Sequence, residues 1–135
     1  MADAVTSQTL VDNQTTAIML FTNVSDGTGE SLVTKVNVAN LAVNALGQAC
    51  NAVSVKKIHI ATHGMGVRLF WGATSNIIFF ISSQNNQYTF DLSSFGGIVN
   101  NSTTGKTGNI LLTTFDQSLG DTYTLILEMQ KYYNQ

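Results

Sequence analysis

The sequence predicts an all-β chain folded as one antiparallel β-sandwich, a jelly roll or another Greek-key arrangement. Apolar residues recur with a period of two or in short unbroken runs rich in Val, Ile, Thr, Phe and Tyr. Turn signals separate these runs about every 8–12 residues, the rhythm of a sandwich or barrel. With 135 residues, 44% of them hydrophobic, the chain can bury one core and needs no second domain.

Residues 1–12 read as an N-terminal arm. AIMLFTNV (17–24) is the first strand, and Ser25-Asp26-Gly27-Thr28-Gly29 a turn. ESLVTKVNVANL (30–41) alternates, with Leu32, Thr34, Val36 and Val38 on one side and Lys35 and Asn37 on the other. Residues 38–52 are ambiguous. Val38, Leu41, Ala42, Ala45 and Leu46 fit helical spacing and Gly47 would end a helix, so this is a connecting loop with one short helix near 39–47 at most. VSVKKIHIATHG (53–64) alternates again, and Gly64 and Gly66 flank Met65 in a tight turn. VRLFWGA (67–73) is a strand with Val67, Leu69 and Trp71 on one face and Arg68 and Phe70 on the other. IIFFIS (77–82) is an apolar run, as in a strand covered on both faces. YTFDL (88–92) alternates.

FGGIVNNSTTGKTGN (95–109) is a long glycine-bearing loop, and such loops tend to touch partners. NILLTTF (109–115) is a strand, and TYTLILEMQKYY (122–133) is the last one. In it Tyr123, Leu125, Leu127 and Met129 oppose Thr124, Ile126, Glu128 and Gln130.

Charged residues make up only 10% of the chain and the net charge is -2, against about 25% charged in ordinary domains. No basic cluster marks a nucleic-acid or lipid surface. Proline is absent, so it cannot blunt a sheet edge. Cys50 is the sole cysteine; no intrachain disulfide or cysteine metal cluster can form, and it reads as a small buried hydrophobe. The N-terminus has neither the basic region nor the apolar core of a secretory signal. No apolar run approaches the roughly 18 residues of a membrane span. Synthesis in the cytoplasm is therefore expected, and the Asn-X-Ser/Thr triplets at Asn13, Asn23, Asn100 and Asn101 read as compositional accidents.

Sites of chemistry are scarce. Gly105-Lys106-Thr107 ends like a P-loop, but the glycine required at position 100 is Asn100, and a strand rather than a helix follows. His59 and His63 lie four apart on a strand without a third metal ligand. Asp26 and Glu30 lack the twelve-residue pattern of a calcium loop. Asp91, Asp116, Asp121 and Glu128 are scattered acids, and no nucleophile elbow is present. No enzyme activity and no cofactor or metal are expected. Arg68, Phe70 and Trp71 form an aromatic-basic patch, either an interface anchor or sugar platform, or a core Trp71 with Arg68 reaching outward; the alternation favours the core for Trp71. The partner-interface candidates are Phe95, Gly96, Gly97, Ile98, Val99, Lys106, Arg68, Tyr132 and Tyr133.

The blocks DGTGESLVTKVNV, KKIHIATHGMGVRLFWGATSN, FGGIVNN, TGKTGNILLTT and DTYTLILEMQKYY together resemble small virion structural proteins of tailed bacteriophages, especially marine ones. The resemblance covers most of the chain but carries no residue-level motif. It implies a β-rich accessory protein of the virion, of the capsid decoration or cement type, with the major capsid protein and other virion proteins as partners and a homodimer or homotrimer as its form. The alternatives are a head-to-tail connector, neck or tail component, a glycan-binding fibre module, and a small enzyme.

Overall fold

The computed structural model describes residues 3–100, 105 and 107–133. Nine strands form: β1 Ala4–Asp12, β2 Thr16–Asp26, β3 Val33–Val36, β4 Cys50–His63, β5 Gly66–Trp71, β6 Ile77–Ser82, β7 Gln87–Asp91, β8 Ile110–Phe115 and β9 Leu119–Tyr133. They build two antiparallel sheets, one ordered β1-β2-β9-β4-β7 and the other β3-β8-β5-β6. Apart from the hairpins β1–β2 and β5–β6, each connection crosses from one sheet to the other. With β1 set aside, the eight remaining strands have jelly-roll order, with β2-β9-β4-β7 facing β3-β8-β5-β6. The expected sandwich is therefore present in its jelly-roll form.

All eight expected strands appear, β6 at its expected bounds and the other seven with shifted ends. The segment expected as an N-terminal arm pairs with β2 and becomes a ninth strand. The strand expected over 30–41 shrinks to Val33–Val36. A bulge between Thr34 and Val36 breaks its alternation: Val36 is buried, whereas Leu32 and Thr34, expected on the same side, are exposed. The short helix expected near 39–47 is a single 3-10 turn, Val38–Asn40, capped by the Asn37 side chain on the Ala39 N–H. Beyond it the Asn44 side chain holds the loop, accepting from the Leu46 and Gln48 amides.

The core lies between the inner faces of the two sheets. Phe21, Ile58, Ile60, Leu125, Leu127 and Met129 from one sheet meet Val67, Leu69, Trp71, Ile110 and Leu112 from the other, all buried. Trp71 takes the core position that its alternation predicted, and its ring stacks on Phe79 at 4.5 Å. Gly66 is required where β4 turns into β5: a Cβ there would lie 2.1 Å from the Phe115 ring, which packs on that bare backbone.

β9 carries one departure from the apolar pattern. Its inward positions run Tyr123, Leu125, Leu127, Met129 and then Lys131. The Lys131 side chain is fully buried beside Asp12. Its ammonium donates to Asp12 Oδ1 at 2.6 Å, to the Asn13 carbonyl at 2.7 Å and to the Ala42 carbonyl at 2.8 Å. Three donors thus meet three acceptors. The ammonium ties the C-terminal strand to the β1–β2 turn and to the loop after β3. Burial works most strongly against its charge, but Asp12 and Tyr133 together outweigh that and raise its pKa.

Replacing Lys131 by Ala should cost about 3 kcal/mol, because a buried pair loses one partner and the other stays behind. Urea unfolding measures this; a loss below about 1 kcal/mol, the worth of an exposed pair, would show that water replaces the ammonium.

Candidate partner-binding surface

The expected interface residues divide between the two sheets. Ile98 pairs with Val55 of β4 as an isolated bridge, with N–H to carbonyl distances of 2.9 Å in both directions. Gly97 is buried at φ 86, and a Cβ there would lie 2.6 Å from the Val55 carbonyl oxygen. Gly96, at φ 87, follows the 3-10 turn Ser93–Phe95 that Phe95 completes. These residues thus fix the loop to β4. Val99 remains exposed, and with Tyr132, Asn51 and Thr107 it lines a recess of about 510 Å³. Tyr132 shares a hydrogen bond with Ser54 at 3.2 Å, and the Tyr133 hydroxyl donates to the Gln14 carbonyl at 2.8 Å. Lys106 lies outside the described residues. The flanking Thr107 N–H donates to the Gly72 carbonyl at 3.0 Å and the chain enters β8, so no helix N-terminus follows the P-loop-like triplet.

Arg68 stands apart, on the outer face of the four-stranded sheet. The register sets Thr34, Leu111, Phe70 and Ile78 side by side across all four strands, with Thr113, Arg68 and Ile81 in the adjacent row. Ile81 is 60% exposed and Ile78 40%, while Phe70, Leu111 and Phe115 are half-buried. The Arg68 guanidinium lies 4.3 Å from the centre of the Phe115 ring. Phe115 in turn rests on Gly66, so the cation sits on a platform the fold has already built. Arg68 forms no ion pair among the described residues.

The outer face of the five-stranded sheet differs in kind. It carries ionisable groups that pair: His59 Nε2 lies 2.6 Å from Glu128 Oε2, its Nδ1 3.2 Å from the Thr89 hydroxyl, and Lys57 is 4.0 Å from Asp91. Hydrogen bonds from the Ser93 hydroxyl and amide hold the Asp91 carboxyl below its usual pKa. His63 is exposed at the end of β4, and no group of three metal-ligating side chains occurs among the described residues. Cys50 is buried, donates to the Ala52 carbonyl at 3.3 Å, and has its thiol pKa pushed up by that burial.

The remaining acids serve turns and one polar cluster. Asp26 Oδ1 accepts from the Thr28 amide at 3.0 Å and Asp121 Oδ2 from the Ser118 amide at 2.7 Å. Glu30 turns inward, where Oε1 accepts from Asn23 and Tyr123, both at 2.7 Å, and Oε2 meets Lys35 at 2.5 Å. Burial first, and then Glu30, push the Tyr123 phenol well above its usual pKa. Sequence reasoning missed this network and Lys131. The signal for Lys131 was a lysine in phase with four apolar inward positions of one strand.

No protein-family model matches the chain, and no curated protein matches it either.

Asp3 secures the start of β1, accepting from Asn23 Nδ2 at 3.0 Å, the Asp26 amide at 3.1 Å and the Gly29 amide at 3.2 Å. Burial disfavours its charge, but these hydrogen bonds prevail and lower its pKa. A depressed carboxyl adds stability above about pH 4, and that stability is lost as pH falls through the lower folded value. Stability should therefore fall in acid, and Asp3→Asn should be less stable at neutral pH with a shallower acid slope. Parallel curves for the two proteins in pH-dependent urea unfolding would remove Asp3 from the account.

Proposed function

We propose that the chain is a non-enzymatic virion structural protein that binds the outside of an assembled phage capsid and stabilises it as a decoration or cement protein. The supporting observation is the outer face of the four-stranded sheet, with Ile78 and Ile81 exposed around an Arg68 that forms no ion pair among the described residues. Aliphatic and aromatic anchors around one preorganised arginine make the usual centre of a protein interface. An arginine held over a ring presents its planar fork to a carboxylate, so the complementary capsid surface is apolar with one acidic side chain.

The mechanism is passive. Each copy contributes modest contacts that bridge neighbouring capsid subunits, and repetition over the lattice multiplies them. The resemblance of the sequence blocks to tailed-phage virion proteins supports the same reading. The chain is made in the host cytoplasm and resides in the virion.

Cryo-electron microscopy of purified tailed-phage particles carrying this chain tests the proposal. Density on the capsid lattice supports it. Density confined to the portal vertex or tail makes the chain a connector or tail component, and absence from particles brings the glycan-binding alternative forward. On chain-free capsids, Arg68→Glu and Ile81→Asp should each weaken binding by at least about tenfold, ~1.4 kcal/mol, without changing the melting temperature. Unchanged binding by both variants would place the contact elsewhere.

A further inference from the structure

We infer that β1 is a pairing edge for a second copy of this chain, joining two five-stranded sheets into one continuous sheet through antiparallel β1–β1 hydrogen bonds. This does not rest on the capsid reading.

β1 is the outer strand of its sheet, and one side of its backbone has no partner strand among the described residues. Its nine residues, AVTSQTLVD, are exposed except for the half-buried Asp12. An edge strand of this length normally carries lysine, proline or an inward charge to prevent pairing. Residues 4–11 carry no charge and no proline. The one ionised side chain, Asp12, is already held by Lys131. One bulge lies between Thr9 and Val11, leaving residues 4–9 regular.

The other sheet edges are shorter, and two of them carry an irregularity as β1 does. β3 has four residues and a bulge, and the Lys35 beside that bulge is locked to Glu30. β6 has a register break opposite Leu69 and Phe70. β7 has five residues and ends in the exposed Asp91 beside Lys57. Among the described strands, another β1 is thus the free edge that matches β1 in length and lack of charge.

The pairing is also self-complementary. A two-fold axis through Ser7 sets Thr6 opposite Gln8 and Val5 opposite Thr9. These are uncharged partners on matching faces, because the register with β2 turns Val5, Ser7 and Thr9 to one side and Thr6 and Gln8 to the other. Both ends of β1 are fastened, through Asp3 to Asn23 and through Asp12 to Lys131. The strand is therefore a rigid template, and its copy adds alongside it instead of replacing it.

Sedimentation velocity from micromolar to near-millimolar concentration should show a dimer. Ser7→Lys, which places like charges against each other at the axis, should weaken dimerisation by at least about tenfold and leave the far-ultraviolet spectrum unchanged. Hydrogen exchange on the wild type provides a second readout: β1 amides should gain protection with concentration. A wild type that stays monomeric throughout overturns the inference. So does a dimer whose new protection lies on β5 and β6 instead of β1, or one that Ser7→Lys leaves intact.

Discussion

The five-stranded sheet depends on β9, which lies between β2 and β4 and pairs with both along most of its length. β2 has only β1 as a partner until residues 119–133 arrive, and two strands alone are marginal in water. The last strand thus joins an N-terminal hairpin to the middle of the chain. Its register is fixed at both ends by polar groups with no freedom to slide. At one end Tyr123 donates to Glu30; at the other Lys131 donates to Asp12, Asn13 and Ala42. A slip of one residue would move Leu125, Leu127 and Met129 out of the core and put Lys131 outside its three acceptors. Such dependence on distant pairing makes folding slow relative to helical chains of the same length.

The distribution of charge follows from these ties. The chain has six cations in all, and two of them, Lys35 and Lys131, are spent inside on Glu30 and Asp12. The surface is therefore even less charged than the composition suggests. Buried pairs of this kind are weak evidence of net stability, since desolvation of both charges offsets their attraction. The cost falls on the exterior, where Ser, Thr, Asn and Gln must keep the protein apart from its neighbours without the help of charge. An exterior of that sort is suited to being covered.

What was legible in the sequence follows the same division. Alternation alone placed Trp71, Leu69 and the inner face of β9, since each is set by a strand period that no neighbour overrides. Residues 30–41 were misread because a bulge, which has no local signature, inverts the alternation after Thr34. β1 escaped because its inner face overhangs the opposite sheet: Val5, Ser7 and Thr9 bury nothing, so no apolar alternation marks the strand. Of the candidate interface, Arg68 was readable from its place between Val67 and Leu69. The pinning of Gly97 and Ile98 was not, because it depends on Val55, some forty positions away in sequence.

The two proposed surfaces are compatible for a geometric reason. When two antiparallel edge strands pair about a two-fold axis within one continuous sheet, that axis runs along the sheet normal. Both four-stranded sheets then lie on the same side of the joined ten strands, and their outer faces point the same way. Twist between neighbouring strands accumulates over the strands that separate them, so the two outer faces splay apart without either being reversed. On the capsid reading, the two Arg68 platforms of a β1-paired dimer would therefore address a single underlying lattice together. Once one face has docked, the second meets its site at an effective concentration on the order of millimolar, so weak individual contacts suffice. On the proposed reading, a chain with little charge and one preorganised arginine per copy would gain firm attachment this way, through duplication of one modest face instead of a stronger one.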